Sequence, residues 1–448
     1  MNVRKNLMKQ SLYLKMLVLL FALVLQLPSS GQTPNSGATV TPDHVALTWT
    51  GNPETTMTIT WRTDSTVTAG SVQFEKGEKL SRKARLVKAT PRDFDTDLGA
   101  TRLFTATLIN LSPGAKYSYR VGDGDHWSEP NVFATMKKKA SAFKFIVLSD
   151  SQSSVSPPEP YGVWRKTAQN AFAANPDARF MVVNGDLVDY GQNGAHWNAW
   201  FAGAKGIIDQ IPLMPVLGNH EFYGAKDTSR PLYWLMQWAV PQNGPEGLKS
   251  QAYSFDCGPV HFVVLDTQSL EQKARGDIIK IQAPWLDADL AASKAKWKMV
   301  FFHKPAYESY PKRTNQDVKA AFCPILEKHG VDLVFTGHDH AIARTYPMKN
   351  DVAMKKPSEG VIYFASGQSG GKTYSAAKKM DWNTFFYLPA DQSNYFVVEA
   401  NDKKIQIKAM KQDGTVIDDF FIDKKKDVSS DTLAQPGTAP EKKEKPAA

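Results

Sequence analysis

Val182-Val183-Asn184-Gly185-Asp186-Leu187-Val188-Asp189 reads as a buried strand that stops at a glycine and delivers an aspartate. The apolar run from Phe180 to Val183 calls for cover on both faces, as in a sheet sandwiched between other layers. Gly185 lets the backbone turn. Asp186 then stands at the carboxyl end of the strand, where open α/β sheets collect their ligands. Alone, Gly-Asp after a strand is an ordinary turn, and its weight here comes from repetition.

Four more apolar runs end in the same way. Phe143–Leu148 leads to Asp150 and Gln152, and Leu213–Leu217 leads to Gly218-Asn219-His220-Glu221. Trp297–Phe302 leads to His303, and Leu333–Thr336 leads to Gly337-His338-Asp339-His340. Each has a plain reading: Asn219 could close a turn, and His303 could be a hydrogen-bonded core histidine. All five in the same strand-end position instead point to one shared rim. The donors are oxygen and imidazole with no thiolate, which suits Mn, Fe or Zn better than Cu(I) or a structural zinc. They are too many for one ion, and an aspartate can bridge two. A metal pair about 3.5–4 Å apart lowers the pKa of a shared water and clamps a phosphoryl group from both sides.

Outward from this cluster, the 448 residues allow two to three domains. Residues 1–31 resemble a signal peptide: Arg4, Lys5, Lys9 and Lys15 precede the apolar run Met16–Leu27, and Ser29 and Gly31 fit a small-x-small cleavage pattern. The run falls short of the ~20 residues that span a bilayer. The protein is therefore expected to be exported, periplasmic or secreted, with no transmembrane domain after cleavage. Removing that segment leaves 50 basic against 45 acidic residues. Such a mild excess suits anionic substrates, and no basic stripe interleaved with aromatics calls for dedicated nucleic-acid binding. Nothing in the pattern sets an oligomeric state.

Residues 38–138 carry short β-branched and aromatic runs at Val45–Trp49, Met57–Trp61, Ser71–Phe74, Leu103–Leu108 and Tyr117–Val121. Gly and Pro turns separate them, which predicts an all-β sandwich. From 142 to 423 strands alternate with helical stretches at Val163–Asn175, Ala283–Ala292 and Val318–His329, the mark of α/β layers. Strands return at Val361–Phe364, Tyr395–Glu399, Ile405–Met410 and Phe420–Ile422. The tail, 424–448, is nearly devoid of apolar residues and reads as disordered. Cys257 and Cys323 are expected as buried thiols, a single bridge being the alternative.

The order of the motifs resembles the calcineurin-like metallophosphoesterases, and the sandwich ahead of them resembles the N-terminal, fibronectin type III-like domain of purple acid phosphatases. The resemblance implies an α/β fold: a two-sheet α/β/β/α sandwich over 142–423 behind the β-sandwich. It places Asp150, Gln152, Asp186 and His340 on a first metal, and Asp186, Asn219, His303 and His338 on a second. It implies a metal-activated hydroxide attacking phosphorus while His220 assists the leaving group. Asp189 would orient His220 and raise its pKa. Asn219 and His220 would touch the substrate; Arg344 would support its loop or, as the lower-ranked reading, contact the phosphate.

Three positions depart from the pattern. Asp189 stands where purple acid phosphatases carry the tyrosine that binds ferric iron, so no Fe(III)–tyrosinate centre is expected. Gln152 replaces a common histidine and is a weaker donor. Ile342 removes a tyrosine near the last motif. The segment Phe222–Lys249 is the expected specificity loop, and Gly367–Lys372 lacks P-loop spacing and reads as a turn at the rim. The resulting reading is an exported dinuclear phosphomonoesterase acting on a small phosphorylated substrate. The alternatives are a phosphodiesterase or nucleotide hydrolase with the same centre, and a binding or adhesion protein whose catalytic domain is weakened at Gln152.

Overall fold

The computed structural model describes residues 37–154, 161–224 and 230–431. The expected signal segment and the tail beyond Asp431 lie outside them. Among the described residues no helix is long and apolar enough to cross a membrane.

The sandwich expected over 38–138 forms from two four-stranded antiparallel sheets. Asp43–Thr48, Met57–Asp64, Gly99–Leu108 and Thr90–Thr96 make one; Arg85–Lys88, Ser71–Lys76, Lys116–Gly122 and Asn131–Ala134 make the other. Ile59, Trp61, Phe104, Val72 and Tyr119 fill the space between them. Three strands escape the sequence reading, the short edge strand Asn131–Ala134 and the pair Arg85–Lys88 and Thr90–Thr96. The last two are edge strands with mostly exposed, polar residues, so no apolar alternation announces them.

Two seven-stranded sheets follow. In the first, the neighbours run Leu213–Val216, Met181–Asn184, Ala142–Leu148, Asn394–Asn401, Lys404–Lys411, Val416–Asp423 and Val428–Ser429. In the second they run Tyr253–Cys257, Val260–Val264, Trp297–Phe301, Leu333–Thr336, Ile362–Ser366, Ile342–Thr345 and Asn383–Tyr387. The strands leading to the five motifs are parallel to one another within each sheet, so their carboxyl ends share one edge. Side-chain alternation explains the layering. Phe145, Val147 and Val182 face the second sheet, where Phe262, Val264 and Phe301 meet them. Ile146, Leu148, Met181 and Val183 face the opposite way, toward helices Gly162–Ala174 and Gly194–Ala204. Helices Ile278–Ala292 and Gln316–Lys328 cover the second sheet. The result is the expected α/β/β/α stack.

Helix Ile278–Ala292 begins five residues before the run read from sequence, because Pro284 sits inside it and imitates a helix start. Cys257 and Cys323 are buried free thiols. The Tyr363 hydroxyl donates to Cys323 Sγ at 3.3 Å.

Two expectations need correction. In the expected specificity loop 222–249, the stretch 230–249 turns its aromatics inward: Tyr233, Trp234 and Trp238 are buried. It docks on the β-sandwich, where Arg92 donates to the carbonyls of Leu235 and Met236, and His44 Nδ1 meets Gln237 Oε1 at 2.9 Å. The tail does not begin at Lys424. Val428–Ser429 pairs with the preceding strand, and Asp431 grips Arg344 at 2.7 Å. A few polar residues are ordered there because a buried guanidinium, 4% exposed in its side chain, needs a counter-charge.

Removing residues 424–448 should therefore lower stability. Asp418 remains as a partner of Arg344, so the loss is expected near 2 kcal/mol rather than the 3–5 kcal/mol of a stripped buried ion. Urea unfolding of the truncated chain checks this.

Candidate metal centre

The strand ends converge as the spacing requires. Asp186 is buried at 2% exposure. Its Oδ1 accepts the His220 backbone N–H at 2.9 Å, and its Oδ2 accepts Gln152 Nε2 at 3.2 Å. His303 Nε2 stands 3.2 Å from Asp186 Oδ2. Donor atoms of Asp186, His303 and His338 all lie within 4.8 Å of one another. On the other side, His340 Nε2 stands 3.1 Å from Asp150 Oδ1. Gln152 and Asp186 join the two halves.

The backbone works hard to achieve this. Asp150, Asp186, His338 and His340 all adopt left-handed φ, between 49° and 71°. Each such non-glycine residue costs on the order of 1 kcal/mol and persists only where its surroundings enforce it. Gly185, at φ 87°, must be glycine, since a Cβ there would lie 2.3 Å from His303 Nδ1.

Four of these side chains end in buried atoms that find no protein partner: Gln152 Oε1, Asn219 Oδ1, His303 Nε2 and His340 Nε2. Each has its other polar end committed. Asn219 Nδ2 donates to the Tyr223 hydroxyl at 2.9 Å. His303 Nδ1 meets the Asn184 carbonyl at 2.9 Å, and His340 Nδ1 meets the Lys372 carbonyl at 2.7 Å. A carbonyl only accepts, so both imidazoles carry hydrogen on Nδ1 and turn Nε2 toward the Asp186 and Asp150 carboxylates. Orphaned buried acceptors demand an explanation. Second-sphere bonds of this kind are how proteins orient metal ligands, and the donor set fits cations that take oxygen and imidazole.

Burial would lower His303, but the Asp186 and Asp150 carboxylates push it up to about 9, so a cation bound there would displace a proton. Burial alone would raise the Asp186 carboxyl, but the His303 and His220 imidazoles hold it well below the usual carboxylate range. Burial, with His303 and Arg313 nearby, keeps His338 well below its ordinary value and so neutral, the form that ligates.

The sequence reading errs at Asp189 and leaves Arg344 open. Asp189 does not orient His220 through its carboxylate. Those oxygens accept the backbone N–H groups of Ser153 and Ser154 at 2.7 and 2.9 Å and the Tyr161 hydroxyl at 3.1 Å. It is the Asp189 carbonyl that meets His220 Nδ1, at 2.7 Å. Arg344 takes the loop-supporting role: it is tied to Asp418 and Asp431 and lies over the Phe420 ring. Of the aromatic run after Asp189, Trp197 and Trp200 are fully buried, and Tyr190 is 51% exposed.

Two functional supports went unread, and a third, the turn read at the rim, proves to hold the site. Glu221, buried, accepts N–H bonds from Gly218, Asp186 and Leu187 at 2.7–3.0 Å and so clamps the Asp186 turn. Its place in the Gly218–Glu221 quartet was visible, but not this task. Tyr223 sets the Asn219 amide. The turn Gly367–Lys372 lies against the first half-site, with N–H groups of Ser369, Gly370 and Gly371 bonded to the carbonyls of Ser149, Asp150 and Gln152. Its glycine pair was the available signal, because a Cβ on Gly370 would lie 2.2 Å from the Gln152 carbonyl.

Two family profiles match this chain in the same order. The N-terminal domain of purple acid phosphatases matches residues 42–135, and the calcineurin-like phosphoesterases match residues 143–341. Mouse acid phosphatase type 7 is 24% identical over 437 residues, covering 90% of this chain and 96% of that protein. The structure of a purple acid phosphatase from yellow lupin (Lupinus luteus) seeds superposes with a TM-score of 0.68 at 20% identity, covering 89% of this chain and 78% of that one. PhoD superposes with a TM-score of 0.63 at 14% identity, covering 87% and 91%. The chain carries a calcineurin-like phosphoesterase domain behind a purple acid phosphatase N-terminal domain, and with its acid phosphatase relatives this supports a metal-dependent phosphoric ester hydrolase with a dinuclear metal centre.

Gln152→His should tighten the first half-site by replacing a neutral amide with imidazole. The expected result is about tenfold slower metal loss to a chelator, measured by elemental analysis during dialysis.

Proposed function

We propose that the protein is an exported phosphomonoesterase. Asp150, Gln152, Asp186 and His340 would hold one cation. Asp186, Asn219, His303 and His338 would hold the other, Asp186 being shared. Mn, Fe or Zn suit this donor set, and with Asp189 turned to its own loop no tyrosinate ligand to iron is expected. The observation that carries the reading is the ring of unpartnered acceptors, Gln152 Oε1, Asn219 Oδ1, His303 Nε2 and His340 Nε2, around a shared aspartate. When bound, such a pair supplies a nucleophile from water at neutral pH and neutralises charge on the phosphoryl oxygens.

The chain's own residues do the rest. Asn219 presents its amide oxygen because Tyr223 holds the nitrogen. His220 lies at the edge of the centre, its Nε2 3.8 Å from Asp186 Oδ2. Its Nδ1–H is held by the Asp189 carbonyl, so Nε2, which lies 2.8 Å from Lys372 Nζ, is the ring atom that would exchange a proton with a departing alkoxide. Mouse acid phosphatase type 7, aligned over most of both chains, supports monoesters as substrates. Export rests on the apolar, basic-flanked segment before residue 31.

Hydrolysis of an aryl phosphate monoester and diester, after reconstitution with Mn, Zn or Fe, tests this. Monoester turnover should dominate and should fall at least 10²-fold in Asp186→Asn. Diester turnover alone would move the assignment to phosphodiesters. His220→Ala should slow esters with poor leaving groups about 10²-fold and activated aryl esters far less. Asp189→Asn, which keeps the carbonyl, should leave the pH profile of kcat in place while weakening the 153–154 loop.

A further inference from the structure

Four basic residues approach the centre or its supporting loops, and three are neutralised. Lys304 pairs with Glu271 at 2.7 Å, Arg313 with Asp339 at 2.7 Å, and Arg344 with Asp418 and Asp431. Lys372 is different. Among the described residues no carboxylate lies within 4 Å of its ammonium. Its Nζ instead meets His220 Nε2 at 2.8 Å, at the edge of the site where a leaving group would depart.

The position is built rather than incidental. The turn that carries Lys372 is bonded through three consecutive N–H groups to the backbone of Ser149, Asp150 and Gln152. The Lys372 carbonyl fixes the His340 ring. The side chain is half-buried, and Tyr374, whose ring centroid lies 5.5 Å from Nζ, limits its swing. An ammonium has three donors, and one is spent on His220. His220 cannot supply charge compensation, so a positive charge with two free N–H groups faces the site.

We propose that Lys372 is a substrate-binding residue that donates to a phosphoryl oxygen of the ester and of the inorganic phosphate product. This rests on the phosphoesterase reading above. Charge-assisted bonds of this kind are the strong ones, and a flexible ammonium can hold His220 Nε2 and a phosphate oxygen together. The turn therefore serves both ends of the reaction: its carbonyl orients a metal ligand and its side chain takes the anion.

The test compares the metal-loaded wild type with Lys372→Gln and Lys372→Arg, using inorganic phosphate binding by calorimetry and aryl phosphate monoester kinetics. Lys372→Gln should weaken phosphate binding about tenfold or more and raise KM for the monoester in parallel, while Lys372→Arg stays within about threefold of wild type. Metal content should be unchanged in both, because the backbone carbonyl and not the side chain holds His340. Phosphate affinity unaltered in Lys372→Gln, or no phosphate binding to wild type, would overturn the proposal. So would equal losses in Gln and Arg variants, or loss of metal, either of which would mark a structural role. Absence of turnover in wild type with every metal would instead count against the phosphomonoesterase reading. The calorimetric comparison would still decide on Lys372.

Discussion

Two sheets must meet at their carboxyl edges closely enough for the backbone of one to orient a side chain of the other. The contact is the bond between the Asn184 carbonyl, ending a strand of the first sheet, and His303 Nδ1, just past a strand of the second. It sets the imidazole tautomer and turns Nε2 toward Asp186. Only a residue without Cβ fits between them, which is why Gly185 follows Asn184. Gly337 plays the same part nearby, where a Cβ would lie 2.5 Å from Ser149 Oγ. Every other feature of the site follows from holding these two edges at that separation.

The separation is held by the layer between the sheets. Phe145 stacks on Phe180 with ring centroids 4.8 Å apart, and Phe262 meets both edge-on. Interiors packed this densely resist small displacements, so the strand ends inherit the rigidity of the core. That rigidity supports four left-handed ligand residues, each of which would relax in a softer setting. Glu221 adds a second restraint by gathering three backbone N–H groups around the Asp186 turn, and it remains buried because those donors have no other acceptor. The β-sandwich contributes from behind, through the 232–239 segment and the His44–Phe201 stack at 4.1 Å.

The layers and most of the site were legible in the chain itself. Apolar runs ending in Asp, Asn or His announce both the sheet edges and the donors, since the same strand pattern that buries a run exposes its last residue at the rim. What escaped depends on orientation, which a one-dimensional pattern does not carry. Asp189 lies next to His220 as expected, yet it is the carbonyl rather than the carboxylate that reaches the ring. Arg344 follows the last motif closely, but its strand points it at Asp418 and Asp431, partners 74 and 87 residues away. Lys372 belongs to a turn whose value appears only when the sheets close and lay it against Asp150 and Gln152. The edge strands at 85–96 were silent for a simpler reason: exposed, polar strands have no apolar period to read.

The central claim is that seven side chains, shared through Asp186, form one two-cation centre. Anomalous diffraction from crystals of the protein loaded with manganese or zinc tests it most directly. The account predicts two peaks about 3.5–4 Å apart flanking the Asp186 carboxylate, one beside Gln152 and His340 and the other beside Asn219, His303 and His338. A single peak, or peaks away from Asp186, would contradict it.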